Sequence, residues 1–236
     1  MSLPSPQPGL LADFDQLAKA IPATVGVAVA TPGADHVWSL GRWSTGVAWS
    51  TIKVPVAIAA LRSNASRARD LAEKAITESD NPASEQLWSL LGDPRDAARA
   101  VQAVLQAAGD TETNVESQRL RPGYTPFGQT EWTLANQARF AANISGVSGA
   151  DIVVDLMRRL VDEQRWGLAA KGVSAKGGWG PGRDRDYLVR QFGIVPAAPG
   201  PVGVALAADA ATFEAGVAAI DQLSQWLWDH LGEIAG

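Results

Sequence analysis

The stretch Ser50-Thr51-Ile52-Lys53-Val54-Pro55-Val56-Ala57-Ile58-Ala59-Ala60-Leu61 joins a polar tetrapeptide to eight residues without a charge. Eight apolar residues in a row suit a helix that is buried all round. Pro55 lacks an N–H and disfavours helical geometry at the residue before it, so it belongs close to the helix start. Ser50 then lies at the N-terminal end. There the first backbone N–H groups have no partner inside the helix and can stabilise negative charge. Residues three apart share a helix face, which places Ser50 beside Lys53. A hydroxyl nucleophile, an amine able to take its proton and an electropositive cradle are the parts of an acyl-transfer centre. Taken singly, a serine at such a position usually caps a helix, so the rest of the chain has to decide.

Upstream, residues 10–21 carry Leu10, Leu11, Phe14, Leu17, Ala18 and Ile21 at helical spacing. Residues 23–30 then read as a buried strand, and after a Pro32-Gly33 turn His36 to Leu40 reads as its partner. Downstream, residues 66–76, 82–91, 94–108, 130–144 and 151–164 read as helices. The last shows a stripe of Ile152, Val153, Leu156, Leu160 and Val161. Residues 110–129 are polar and broken by Pro122-Gly123 and Pro126, as in an ordered loop. Strands return at 173–179, 187–195 and 202–208, with Gly180-Pro181-Gly182 as a hairpin turn, and residues 211–231 close the chain as a long helix. Strands and helices do not alternate, which excludes a doubly wound parallel sheet. The pattern predicts an α+β fold: a five-stranded antiparallel sheet built from both chain ends, flanked by N- and C-terminal helices, with an all-helical part beside it. The expected division is a linker or cloning scar over residues 1–9 and a single domain over 10–236. Its sheet part comprises 10–49 and 169–236, and its helical part 50–168.

Two fragments sit where such a layout places them beside Ser50: Ser79-Asp80-Asn81 and Lys176-Gly177-Gly178-Trp179. Alone, the first is a turn with an N-cap and the second a glycine loop. Together with Ser-x-x-Lys, in this order, they resemble the signature set S-x-x-K, S-D-N, K-T-G of the penicillin-recognising serine hydrolases, the serine β-lactamases and D,D-peptidases. The class A β-lactamases are the nearest in pattern. The resemblance runs from about Val25 to the C-terminus and implies a β-lactamase/transpeptidase-like fold.

It also implies roles. Ser50 is the expected nucleophile and Lys53 its base, made neutral by burial and by the nearby cation Lys176. Ser79 is expected to carry the proton to the leaving group, and Asn81 to hold Lys53 and the substrate amide. Asp80 is read as structural, stabilising its turn. The oxyanion donors are the N–H of Ser50 and, by the resemblance, that of Trp179. Gly177, Gly178 and Trp179 are the expected substrate-binding strand. Gly177 departs from the family pattern, which has Thr or Ser there, a hydroxyl that helps to bind the substrate carboxylate. Arg185 on the next strand is the expected compensating cation, in preference to Arg190. Only 29 residues separate Ser50 from Ser79, a shorter connection than in class A enzymes, so a wider cleft is expected, with Trp43, Trp49 and Trp179 beside it. No E-x-x-L-N supplies the usual deacylating glutamate. Glu116 is the candidate base, placed well when counted from Ser79 and falling short when counted from Gly109-Asp110.

Composition narrows the rest. The chain has 236 residues, 46% hydrophobic and 19% charged, with net charge −5. No basic run argues for nucleic acid, and no apolar stretch is long enough for a membrane span. There is no cysteine and there are two histidines, His36 and His230, which excludes thiolate and histidine-cluster metal sites; the resemblance implies no metal and no organic cofactor. A Ser-His-Asp triad lacks its G-x-S-x-G setting. The expected function is a serine hydrolase that forms an acyl-enzyme on an amide or ester, with a β-lactam or cell-wall-peptide-like substrate and weak β-lactam turnover. The alternative is a non-hydrolytic or slowly acylated binding or sensor domain of the cell envelope on the same fold. The resemblance implies an extracytoplasmic location, with no export signal in the sequence itself.

Overall fold

The structure, a computed structural model, describes residues 6–33, 37–182 and 186–235. Helix α1 (Pro8–Ala20) leads into strands β1 (Thr24–Ala30), β2 (Val37–Gly41) and β3 (Thr45–Val47). A 3-10 turn (Trp49–Ile52) opens the helical part, α2 (Lys53–Thr77), α3 (Asn81–Ser89) and α4 (Pro94–Ala107). After the 110–129 loop come β4 (Glu131–Thr133), α5 (Leu134–Asn143) and α6 (Asp151–Leu156). Strands β5 (Ser174–Pro181), β6 (Tyr187–Val195) and β7 (Val202–Ala210) precede α7 (Phe213–Asp229) and α8 (Leu231–Ala235).

The five long strands form one antiparallel sheet in the order β2-β1-β7-β6-β5. Alternation along the strands divides the core in two. Val25, Val27, Val29, Val204 and Leu206 face α1 and α7, meeting Phe14, Leu223 and Leu227. Ala28, Ala30, Ala205, Ala207 and Phe192 face α5 and α2. The rings of Trp132, Phe140 and Phe192 lie edge to face at 5.5 to 5.9 Å, tying β4, α5 and β6 together.

Four elements differ from the expectation. The segment read as a helix over 130–144 starts with β4, because residues 131–133 pair with β3 in register Gly46↔Trp132. Helix α6 ends at Leu156 rather than Gln164. Tertiary bonds take over the backbone there: Ala175 N donates to Met157 O (3.2 Å) and Val161 N to Thr77 O (3.0 Å). Gly180 and Pro181 belong to β5, and beyond them Gly182 N donates to Asp186 O at 2.8 Å. The helices expected at 50–61 and 66–76 are one element with a kink at Asn64 (φ −155°). The Asn64 side chain accepts from Arg67 N at 3.3 Å and so caps the second half. His36 and residues 1–5 lie outside the described residues. No helix among the described residues is long and apolar enough to cross a membrane.

Candidate active site

Ser50 sits in the 3-10 turn, one turn ahead of α2 proper, and Lys53 is the first residue of α2. The turn is held from below. Thr51, fully buried, donates its hydroxyl to Ala48 O (2.6 Å) and accepts from Gln137 Nε2 of α5 (2.9 Å). Gln137 Oε1 in turn accepts from Arg190 Nη2 (3.0 Å). The residue before Ser50, Trp49, has φ of 50°, a conformation costing a non-glycine residue about 1–2 kcal/mol. Ser79 has φ of 58°. Among the described residues these are the two non-glycine positions with positive φ, and both border the same cavity.

That cavity, about 370 Å³, is lined by Ser50, Lys53, Ser79, Asn81 and Trp179, with Trp49 and Glu85 beside them. Gly123, Tyr124, Thr125 and Gly128 of the 110–129 loop supply the remaining wall. Tyr124 meets Trp49 edge to face at 5.1 Å, and Arg121 reaches over the same indole to Pro181 O (3.3 Å).

Lys53 Nζ donates to Ser79 O (2.5 Å), Asn81 Oδ1 (2.7 Å) and Ser79 Oγ (3.3 Å). Lys176 Nζ donates to Ser79 Oγ (3.0 Å), Gly177 O (3.0 Å) and Gln164 Oε1 (3.2 Å). Ser79 Oγ thus lies within hydrogen-bond reach of both amines. Ser50 Oγ makes no hydrogen bond to Lys53 or to any other described residue. Such base–nucleophile contacts often tighten only with substrate in place.

Burial brings the Lys53 amine down from 10.5 to about 7, with the Asp80 carboxylate acting in the opposite sense. Lys176 is held well below the ordinary lysine range, first by complete burial and then by the charge of Lys53. Desolvation penalises an ammonium more than these acceptors favour it. Asp80 also keeps the turn: its Oδ1 accepts from Ala83 N (2.6 Å) and caps α3.

Strand β5 supplies the opposite wall. It is the sheet edge, and Ala175 N leaves that edge for Met157 O. With a two-residue period, the N–H of Trp179 points off the same edge. A Cβ on Gly178 would lie 2.8 Å from Ser50 N and 2.9 Å from Thr51 N. Residue 178 must therefore be glycine for the strand to approach the turn that carries Ser50. Gly177 has a different reason. Its Cβ would fall 2.6 Å from Trp166 Cζ2, so the Trp166 indole occupies the place of the side chain the family pattern carries.

Three expectations need correction. Gly177 and Gly178 do not line the cavity; they fix the packing of the strand that does. Glu116 is outside the lining as well. Its Oε1 accepts from Gln118 N (2.6 Å) in its own loop. Arg190 is neither exposed nor in the cleft. Fully buried, it donates to Gly46 O, Val47 O, Trp132 O and Gln137 Oε1 at 2.9 to 3.1 Å and lies over Trp43. Its pKa falls to about 9 through burial, against the raising effect of Glu131. Arg185 lies outside the described residues.

The sequence reading missed Gln164, Thr51 and Gln137, and each sits at one end of a contact between segments far apart in the chain. Arg190 carried a signal, a lone charge within Tyr187-Leu188-Val189-Arg190-Gln191-Phe192. His230 is remote from the cavity, stacked on Trp226 and 3.4 Å from Asp13.

The sequence profile described as "Beta-lactamase enzyme family" matches residues 62–231, nearly three quarters of the chain. A class A β-lactamase from Bacteroides cellulosilyticus DSM 14838 superposes with a TM-score of 0.76 at 18% identity, covering 98% of this chain and 99% of that one. A β-lactamase from Chitinophaga pinensis DSM 2588 gives 0.75 at 16% identity over 94% and 98% of the chains. The TLA-3 extended-spectrum β-lactamase gives 0.75 at 14% identity over 94% and 98%. No curated protein sequence gives a significant match. The fold is that of the class A β-lactamases.

Proposed function

The chain belongs to the β-lactamase enzyme family, and from that membership and the geometry of the cleft we propose that Ser50 is acylated by an amide or ester and then freed by water. Family and fold favour a β-lactamase-like serine hydrolase with a small-molecule substrate over a purely binding or sensor domain. The observation that carries the residue roles is Ser79 Oγ, bridging Lys176 at 3.0 Å and Lys53 at 3.3 Å inside the cavity that Ser50 lines.

Neutral Lys53 takes the proton of Ser50 as Oγ bonds to the substrate carbonyl carbon. The carbonyl electron pair moves to oxygen, where the N–H groups of Ser50 and Trp179 receive it. The intermediate collapses, the bond to the leaving nitrogen or oxygen breaks, and that atom takes the proton from the Lys53 ammonium by way of Ser79. Asn81 orients Lys53. Water then attacks the Ser50 ester, giving the acid and restoring the hydroxyl. None of these steps calls on a metal or an organic cofactor.

The substrate reading is a β-lactam or a cell-wall-peptide-like acyl donor. Two features argue for weak β-lactam turnover. The Lys176 amine already has protein partners in Ser79 Oγ, Gln164 Oε1 and Gly177 O, and residue 177 offers no hydroxyl, so a substrate carboxylate finds little to bind on this strand. The family's usual setting makes the cell envelope, outside the cytoplasm, the proposed location. Steady-state assays with nitrocefin and with short-chain p-nitrophenyl esters test the proposal. Turnover of either that disappears in Ser50→Ala is expected, with the esters faster. Equal rates from wild type and S50A on every substrate would overturn it.

A further inference from the structure

We propose that Glu85 is the general base of the deacylation step, an inference that rests on the acyl-enzyme reading above. An acyl-enzyme with no base nearby reacts with water slowly, so the cavity needs a group to take the water's proton. Glu116 is not placed for this, since it lies outside the cavity lining. Among the described residues lining the cavity, Glu85 is the carboxylate. It follows Asn81 by four residues on α3, and that spacing puts both side chains on one helix face.

One of its two carboxylate oxygens has a partner. Oε1 accepts from Arg119 Nη2 at 3.1 Å, and Arg119 Nη1 donates to Tyr124 O at 2.6 Å, so the carboxylate is tied to a second wall residue of the same cavity. An ion pair half open to solvent adds little stability, and its value here is to hold one oxygen while the other stays available. Oε2 makes no hydrogen bond to a described residue. In the step, Oε2 removes a proton from water as the water oxygen bonds to the acyl carbon. The carbonyl electrons return as the bond to Ser50 Oγ breaks, and Oγ recovers a proton from the Glu85 acid. Ester and water become acid and free serine, with Glu85 regenerated. Arg119 is the positioning residue for this base.

The test uses p-nitrophenyl acetate with the full chain, following the burst and the steady state and measuring intact mass after quenching. Glu85→Gln, isosteric and on a solvent-accessible face, is expected to keep the burst and to hold the acetyl group on Ser50. Its steady-state rate is expected to fall by about 100-fold or more. Glu116→Gln is expected to stay within about threefold of wild type, the range in which no proton-transfer role is lost. Normal turnover by E85Q, alongside an S50A variant that is dead, would overturn the role of Glu85 alone. Absence of an acetyl adduct on wild-type Ser50 throughout the burst would overturn this step and the acyl-enzyme together.

Discussion

Lys53→Met should change how stability depends on pH, and the size of the change follows from the burial of one amine. Lys53 is 1% exposed and its pKa is about 7, against 10.5 for an unhindered lysine. Because the folded-state value is the lower one, the unfolded chain binds an extra proton between these two values. Wild type is therefore penalised below pH 7, and the penalty disappears as pH rises towards 10.5. Linkage gives about 1.4 kcal/mol per pH unit inside that window, so wild type should gain about 2 kcal/mol over K53M between pH 7 and pH 9. Groups that do not feel the Lys53 charge contribute to both proteins and cancel in the difference; Lys176 does feel it, so the pair is also compared in a Lys176→Met background. Urea unfolding of the two proteins at pH 7, 8 and 9 gives the quantity directly. The absolute difference at any one pH also contains the orphaned acceptors Ser79 O and Asn81 Oδ1; its slope does not. A flat difference from pH 7 to 9 would refute the reasoning, because Lys53 would then stay protonated in the folded protein and could not take a proton from Ser50.

Asp80→Asn keeps a good N-cap for α3 but removes the charge that raises Lys53, so the acid limb of the kcat/KM profile should move to lower pH with little change in Tm. Gly177→Thr drives a side chain into Trp166 and should destabilise by about 1–3 kcal/mol. In a Trp166→Ala background the same change should be milder, with a coupling of about 1–3 kcal/mol in a double-mutant cycle of unfolding free energies. Arg190→Met leaves four buried acceptors without their donor and should lower stability by at least about 3 kcal/mol, and it should also slow Ser50 labelling, since Arg190 supports the nucleophile turn through Gln137 and Thr51.

The reach of sequence reasoning varied with the kind of signal. Ser50, Lys53, Ser79, Asn81 and Lys176 were legible because short local patterns fix each of them and their order fixes the fold around them. The five long strands were legible from apolar runs bounded by turns. Residues 131–133 were not, since a three-residue strand exists only through its partner at 45–47. The stripe from Ile152 to Val161 predicted a longer helix than forms, because the carbonyl of Met157 and the N–H of Val161 found partners in β5 and α2. The reason for Gly177 lay eleven residues upstream in Trp166, a contact that no local pattern records. Glu85 was overlooked because one carboxylate on a polar helix face looks like any other until the 110–129 loop brings Arg119 and Tyr124 to it.

The central claim concerns one hydroxyl, and intact-mass analysis after exposure to a fluorophosphonate probe addresses it most directly. One probe equivalent should appear on wild type, map to the peptide containing Ser50, and form faster as pH rises through 7. A probe attached to any other residue, or carried equally by Ser50→Ala, would contradict the account.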